Sequence, residues 1–249
     1  MAIILKTPSE MATMREAGRI VANTLTLMRD LVKPGVTTAD LDAKADEFIR
    51  KHNAKPSFKG YNGFPASICV AVNDQVVHGI PGPQRLEEGD IITIDIGANY
   101  RGLHGDAAMS FPVGQISAEA QRLLDVCQAA LKIGIDEARA GRHLTDIGAA
   151  IQPYVESQGF SVVRQYCGHG VGRQLHEDPQ VFHYGPNGKG PVQRRGMVLT
   201  IEPTVNAGKP ETRVLDEKWT VITADGSLSA QFEHTVAITD DGPRLLTLP

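Results

Sequence analysis

Two stretches of this chain repeat each other, and the repetition limits the folds open to it. Gly89-Asp90-Ile91-Ile92-Thr93-Ile94-Asp95 aligns with Gly196-Met197-Val198-Leu199-Thr200-Ile201-Glu202 at an offset of 107. A second pair, Gly35 to Leu41 and Gly141 to Ile147, shares a glycine, four residues, an aspartate and an apolar residue, at an offset of 106. Short matches between strands also arise by chance, but here the order of elements agrees too. Residues 9–31 read as an amphipathic helix with Ser9 as N-cap, because Met11, Met14, Ala17, Ile20, Val21, Leu25 and Met28 recur at helical spacing. Lys33-Pro34-Gly35 stops it, and Thr37 or Thr38 caps a second helix to about His52. A loop from Lys55 to Ala66 leads to strands at about 67–73, 91–97 and 103–112. The second half begins the same way, with helices at 117–140 and 144–158, the latter kinked at Pro153, and then strands to the end. The expectation is an α+β chain, one domain over 1–249, built from halves of about 1–115 and 116–249 around a pseudo-two-fold centre.

Duplication would put Asp95 and Glu202 in equivalent places, each closing a Thr-Ile-acid strand. Two further acids, Asp106 and Glu233, also interrupt apolar β-rich segments, where an unpaired carboxylate is costly. Asn99 to Gly102 reads as a turn, and a turn centred between residues 100 and 101 would set Asp95 directly opposite Asp106. Facing Cβ atoms would then lie roughly 4.5–5.5 Å apart. Carboxylates that close need a cation between them or a shared proton. The run Tyr166-Cys167-Gly168-His169-Gly170-Val171-Gly172 favours the cation, since a histidine framed by glycines is aimed at something. Four carboxylates balance two divalent ions with a bridging hydroxide. An oxygen-rich set with one imidazole and no thiolate suits manganese, iron(II) or cobalt, with zinc still a candidate.

Bulk properties narrow the classes further. A net charge of −4 gives no support to nucleic-acid binding by the whole surface. The first six residues are too short an apolar run for an export signal, and no stretch is long enough to span a membrane. Cys69, Cys127 and Cys167 form no CxxC pair, which suits reduced thiols in the cytoplasm.

Taken together, His78-Gly79-Ile80-Pro81, Asp95, Gly105-Asp106, the 166–172 run, His176-Glu177, Ile201-Glu202-Pro203 and Gln231-Phe232-Glu233-His234 resemble the type I methionine aminopeptidases, over essentially the whole chain. That resemblance implies the pita-bread fold, in which a curved antiparallel sheet is flanked by helices. It implies that Asp95 binds one divalent ion, that Asp106 and Glu233 bridge two, and that His169 and Glu202 bind the other. Glu202 would also shuttle a proton, and His78 and His176 would contact substrate and stabilise the tetrahedral intermediate. Tyr61, Phe64, Cys69 and Trp219 would line the methionine pocket. Phe58, Phe64 and Leu175 depart from the residues common in relatives at those places, which bears on pocket shape and not on chemistry. Asn73, Gln75 and Ser229 correspond to a monovalent-cation site. His52, His104, His143, His183 and His234 have no such context and read as structural.

The same resemblance implies a cytoplasmic monomer that removes the initiator methionine from nascent chains whose second residue is small. Lys209, Arg213 and Lys218 are candidates for transient contact with ribosomal RNA phosphates. Only 26 positions separate His176 from Glu202, too few for the type II insertion, and neither the extra N-terminal domain of prolidases nor a zinc-finger extension is expected. A zinc protease of the HExxH type is disfavoured, because Gln180 stands where the second histidine belongs and Pro179 opposes the helix. The remaining alternative, a binding module of the same fold without catalysis, would be expected to have lost ligands. Here all five positions are filled.

Overall fold

Helices begin where the chain supplies caps. In the computed structural model, which describes residues 2–249, the Thr7 side chain accepts from the Glu10 amide while Glu10 accepts from the Thr7 amide. This reciprocal box starts α1 (Pro8–Leu31) at Thr7 and not at Ser9, because Pro8 fits the first helical position, where no donor is needed. Thr37 and Asp40 form the same box for α2 (Thr38–Lys51).

After β1 (Lys55–Pro56), β2 (Cys69–Val72) and β3 (Gln75–Val77), the chain forms a long antiparallel hairpin of β4 (Ile91–Tyr100) and β5 (Leu103–Pro112). Its two-residue turn, Arg101-Gly102, has φ of 51° and 83°, the positive values that match strand twist. That turn sits one residue later than the sequence suggested. Asp95 therefore pairs with Ala108, and Asp106 with Gly97. The two aspartates are diagonal neighbours, not direct partners. A shift of two in pairing keeps them on one face, at the wider diagonal spacing of roughly 7–8 Å.

The second half supplies α3 (Ala118–Asp136) and α4 (Asp146–Ser157), which runs through Pro153. Strands follow as β6 (Ser161–Val162), β7 (Gly168–Gly170), β8 (Glu177–Val181), β9 (Val198–Ile201), β10 (Thr204–Asn206), β11 (Thr212–Val214), β12 (Val221–Thr223), β13 (Ser229–Gln231), β14 (His234–Thr239) and β15 (Gly242–Leu245). All pairings are antiparallel. β4 is flanked by β1 and β2 and joined by β5; the others form sheets β15-β14-β9-β7-β8, β13-β10-β6 and β11-β12-β3.

Two cores sit beneath the helices. Leu25 and Met28 of α1 with Leu41 and Ile49 of α2 pack on Ile92, Ile94 and Ile96 of β4. Leu123 and Leu131 of α3 with Ile147 and Ile151 of α4 pack on Leu199 and Ile201 of β9 and Val236 of β14. Asp95 lies in the middle of β4, whereas Glu202 falls just past the end of β9, so the matched segments differ in where the acid sits. No helix among the described residues is long and apolar enough to cross a membrane.

Candidate metal centre

The free faces of the sheets meet in one cavity of about 490 Å³. Asp95 and Asp106 reach it from the hairpin, His169 from β7, Glu202 from the end of β9, and Glu233 from the junction of β13 and β14. His78, His176, Tyr61, Phe64, Cys69 and Trp219 line the same space, so the expected ion-binding, catalytic and methionine-pocket residues are brought together, whereas Asn73, Gln75 and Ser229 are not among its lining. One ligand atom each from Asp106, His169 and Glu233 lies within 4.8 Å of the other two. His169 Nε2 stands 3.8 Å from Asp106 Oδ2 and 3.7 Å from Glu202 Oε1, too far for a hydrogen bond and spaced for an intervening ion.

The glycines around His169 serve close approach. A Cβ on Gly168 would strike the Thr200 carbonyl oxygen, and one on Gly170 the Asp178 carbonyl oxygen. Bare backbone thus lets β7 lie tight between β9 and β8. His169 Nδ1 is 2.9 Å from the Gly170 carbonyl oxygen, which can only accept. The ring proton is therefore on Nδ1, and the Nε2 lone pair faces the carboxylates.

The Thr200 hydroxyl accepts from the His169 amide at 2.9 Å and donates to Glu202 Oε1 at 2.6 Å. Gln231 Nε2 donates to Glu202 Oε2 at 3.2 Å, and the Glu202 amide donates to His183 Nε2 at 3.0 Å. The Glu233 amide is anchored on the Ala108 carbonyl at 2.8 Å, and the Thr235 hydroxyl clasps the Asp106 backbone from both sides. In contrast, Asp95 Oδ1 and Asp106 Oδ1 are buried with no protein hydrogen-bond partner.

Burial and mutual repulsion load this cavity with protons when it carries only side chains. Burial pushes Asp95 up to about 7 and Glu202 up to about 8. Asp106 and Glu233 rise well above the ordinary carboxylate range, by burial first and then by the neighbouring acids. Burial also drops His169 to about 3, so the imidazole is a neutral ligand and not a counter-charge. Orphaned oxygens, four crowded acids and a neutral imidazole aimed at them fit a divalent-cation centre.

Beside the acids runs an apolar slot. Phe58, Phe64, Ala66, Cys69 and Leu175 are buried together, with Tyr61, Ile80 and Trp219 packed on them, and Trp219 meets Phe64 edge-on at 5.1 Å between ring centres. His176 bridges slot and acids: its Nδ1 is 2.8 Å from the Tyr61 hydroxyl, and its ring centre is 4.1 Å from that of His169. His78 holds a φ of 61°, a strained value for a non-glycine residue, and packs edge-on against Tyr166.

Several contributors were missed in the sequence. Thr200 and Gln231 stand in segments that the sequence singles out, and His183 reads as structural, but none carries a signal that it positions Glu202. Gln165, Tyr166 and Cys167 also line the cavity, the last two within the 166–172 run and Gln165 just before it. The histidines read as structural are all hydrogen-bonded: His52 to the Phe48 carbonyl, His104 to Ser57 and Asn99, His143 to the Gly190 carbonyl, His183 to the Glu202 amide, and His234 to Thr247. Around the suggested monovalent-cation site, the Ser229 amide bonds the Asn73 carbonyl at 2.8 Å, while Asn73 Oδ1 and Gln75 Oε1 already accept from the Ile91 and Val72 amides. Lys209, Arg213 and Lys218 are exposed and lie outside the cavity lining.

Residues 12–240 match the metallopeptidase family M24. The chain is 56% identical to methionine aminopeptidase 1 of Bacillus subtilis over 245 residues, covering 98% of this chain and 99% of that protein. It is 46% identical to the methionine aminopeptidase of Escherichia coli K12, covering 100% of this chain and 95% of that one. Its structure superposes on that of methionine aminopeptidase from Rickettsia prowazekii with a TM-score of 0.98 at 44% identity, over 99% of this chain and 100% of the other. The architecture is thus the α+β pita-bread fold that the sequence motifs implied.

Proposed function

Because the chain belongs to the metallopeptidase family M24, we propose that it is an aminopeptidase that hydrolyses the first peptide bond of polypeptides beginning with methionine. One observation carries the reading: buried carboxylate oxygens without protein partners, at Asp95 and Asp106, share a cavity with a slot walled by aromatic side chains. Asp95, Asp106, His169, Glu202 and Glu233 would together hold two divalent ions. Cobalt, manganese, iron(II) and zinc all suit this donor set. Such a pair of ions supplies an activated water and polarises the scissile carbonyl.

The protein's own groups do the rest. The Tyr61 hydroxyl lies 2.8 Å from His176 Nδ1; in this reading it donates there, leaving the ring proton on Nε2, free to donate to the carbonyl oxygen as negative charge develops. Burial holds the His176 pKa down, so the ring is a neutral donor. Glu202 carries the proton from water to the departing amine, and the Thr200 and Gln231 bonds fix its carboxylate for that transfer. His78, edge-on to Tyr166, contacts the substrate backbone. The slot takes the thioether, a flexible and polarisable group suited to aromatic walls.

The substrates in this reading are nascent N-termini with a small second residue, met in the cytoplasm by a monomer. Exposed Lys209, Arg213 and Lys218 are the groups for electrostatic contact with ribosomal RNA. A rival reading, a non-catalytic binding module, is separated by one experiment. The protein is loaded with Mn or Co, its metal content is measured, and it is incubated with a Met-Ala peptide. Release of methionine supports the aminopeptidase. Failure to bind an ion, or binding without release, assigns the chain to the binding-module class.

A further inference from the structure

At the edge of the cavity, which Glu177 helps to line, one Lys–carboxylate pair among the described residues is deeply buried. Lys6 Nζ lies 2.6 Å from Glu177 Oε2, and the two side chains are only 2% and 5% exposed. Lys6 comes from the segment before α1, whereas Glu177 opens β8 and immediately follows His176. Nothing in the reaction described above uses either charge. A buried ion pair is a weak source of net stability, because desolvating two charges offsets most of their attraction. What such a pair supplies is a fixed geometry, and here the fixed object is the loop that carries His176.

We propose that Lys6 is a positioning residue for His176, acting through Glu177, which follows His176 and lines the cavity with it; this rests on the reading of His176 given under the proposed function. The bonding around the pair is closed. Lys6 Nζ also donates to the Ile4 carbonyl at 2.9 Å, and the Lys6 amide donates to the Gly196 carbonyl at 2.7 Å, so the stem is pinned at both ends. Glu177 Oε2 takes the ammonium while Oε1 accepts the Gln174 amide at 3.2 Å, so one carboxylate ties the strand end to the loop before it. The Gly172 amide bonds the Gln174 carbonyl at 3.1 Å, and the Gly172 carbonyl accepts from the His104 amide at 2.9 Å, which fastens the loop to β5. Gly172 has to be bare, because a Cβ there would run into Lys6 Cε and Glu177 Oε1. At the rim a second tether repeats the arrangement, with Arg173 bonded to Glu10 of α1 at 2.8 Å. Residues 172–177 are thus held by the N-terminal segment. His176 then projects forward to Tyr61 and to within 4.1 Å, ring centre to ring centre, of His169. A loop with one end free would let the imidazole wander, and misplacement of about 1 Å costs on the order of a hundredfold in a positioned group.

The test uses the metal-loaded full chain and four variants: Lys6→Met, His176→Ala, Lys6→Met with His176→Ala, and Lys6→Met with Glu177→Gln. Turnover of a Met-Ala peptide, KM, bound metal and melting temperature are measured for each. Lys6→Met is expected to lower kcat about tenfold, with KM and metal content within about twofold of the parent, an effect intermediate for a misplaced group. Lys6→Met with Glu177→Gln removes the unpaired buried charge, so its melting temperature recovers while kcat stays low. In the His176→Ala background, Lys6→Met costs no further kcat although it still lowers the melting temperature. That non-additivity is the signature of a residue acting through His176, and a merely structural role would not produce it. If Lys6→Met leaves kcat unchanged while His176→Ala lowers it, the proposal alone is overturned. It fails equally if Lys6→Met reduces kcat by the same factor with and without His176, or if kcat recovers along with the melting temperature in the paired variant. If His176→Ala itself turns over normally, the role of His176 is overturned, and the proposal goes with it.

Discussion

The two arms of the acidic site are built differently. On the β4–β5 hairpin, Asp95 and Asp106 sit in regular strands, and each keeps a buried oxygen that no protein group satisfies. On the β7–β9 side, Glu202 receives the Thr200 hydroxyl on one oxygen and the Gln231 amide on the other, while His169 is anchored through both its backbone amide and its Nδ1. The hairpin arm presents unbalanced charge and so sets the demand for cations. The opposite arm is pre-aimed and so sets direction. In the proposed reading, affinity for the ions would rest with the hairpin acids and accuracy of proton transfer with the opposite arm of the same cavity.

Removing charge from the hairpin arm is the strongest way to break this division. Asp95→Asn or Asp106→Asn is expected to lower turnover by more than about a hundredfold, as for loss of a principal electrostatic group. Bound metal should fall as well, by elemental analysis, while the folded state persists. His169→Ala, which removes an imidazole aimed at the acids, should lower turnover by a similar factor. Near-parental activity in any of these variants would refute the cation centre.

A cut in the aiming arm should behave otherwise. Thr200→Val keeps the shape of the side chain but deletes the donor to Glu202 Oε1 and the acceptor for the His169 amide. The expected loss is about tenfold in kcat, the lower end for one hydrogen bond to a charged group, with metal content close to the parent. Loss of metal equal to that of Asp95→Asn would erase the distinction between the arms.

The contrast also explains what was legible in the sequence. Charged residues inside apolar β runs announce themselves, so all four acids and His169 could be read directly, and the helix and strand order followed from periodicity. The Asp95–Asp106 pairing was misplaced because one residue of turn position, decided by positive φ at Arg101 and Gly102, alters which residues face each other while preserving the face. The start of α1 was misread because Ser9 resembles a cap until Thr7 and Glu10 are seen to close a box around Pro8. The positioning roles of Thr200, Gln231 and His183 were invisible for a different reason. Each is an ordinary polar strand or loop residue whose role exists only through partners brought close by the fold.

The smallest expected effect isolates the charge demand of the hairpin arm without any turnover assay. In chelator-treated protein, Asp95 at about 7, Glu202 at about 8, and Asp106 and Glu233 above the ordinary range all hold protons that an unfolded chain would have released near pH 4. Their contribution to stability is complete below the unfolded values and is lost as pH rises through the folded ones. The buried histidines run the other way. His169 and His183 at about 3, and His78, His104 and His234 at about 4, favour the fold above their unfolded value near 6.5 and disfavour it below. Between pH 7 and about 8.5 the folded acids lose their protons, and the unfolded chain's thiols begin to release protons that buried Cys69, Cys127 and Cys167 keep, which adds to the same fall. The melting temperature of the metal-free protein should therefore fall by several degrees across that window, at roughly 2–4 °C per kcal/mol for a chain of this size. Restoring Mn should flatten the fall, and Asp95→Asn, which removes one of the titrating acids, should reduce it in the metal-free state. A melting temperature that stays level or rises from pH 7 to 8.5 without metal would mean the acids do not share the cavity as crowded, buried groups, and the hairpin arm would lose its claim to set the demand for cations.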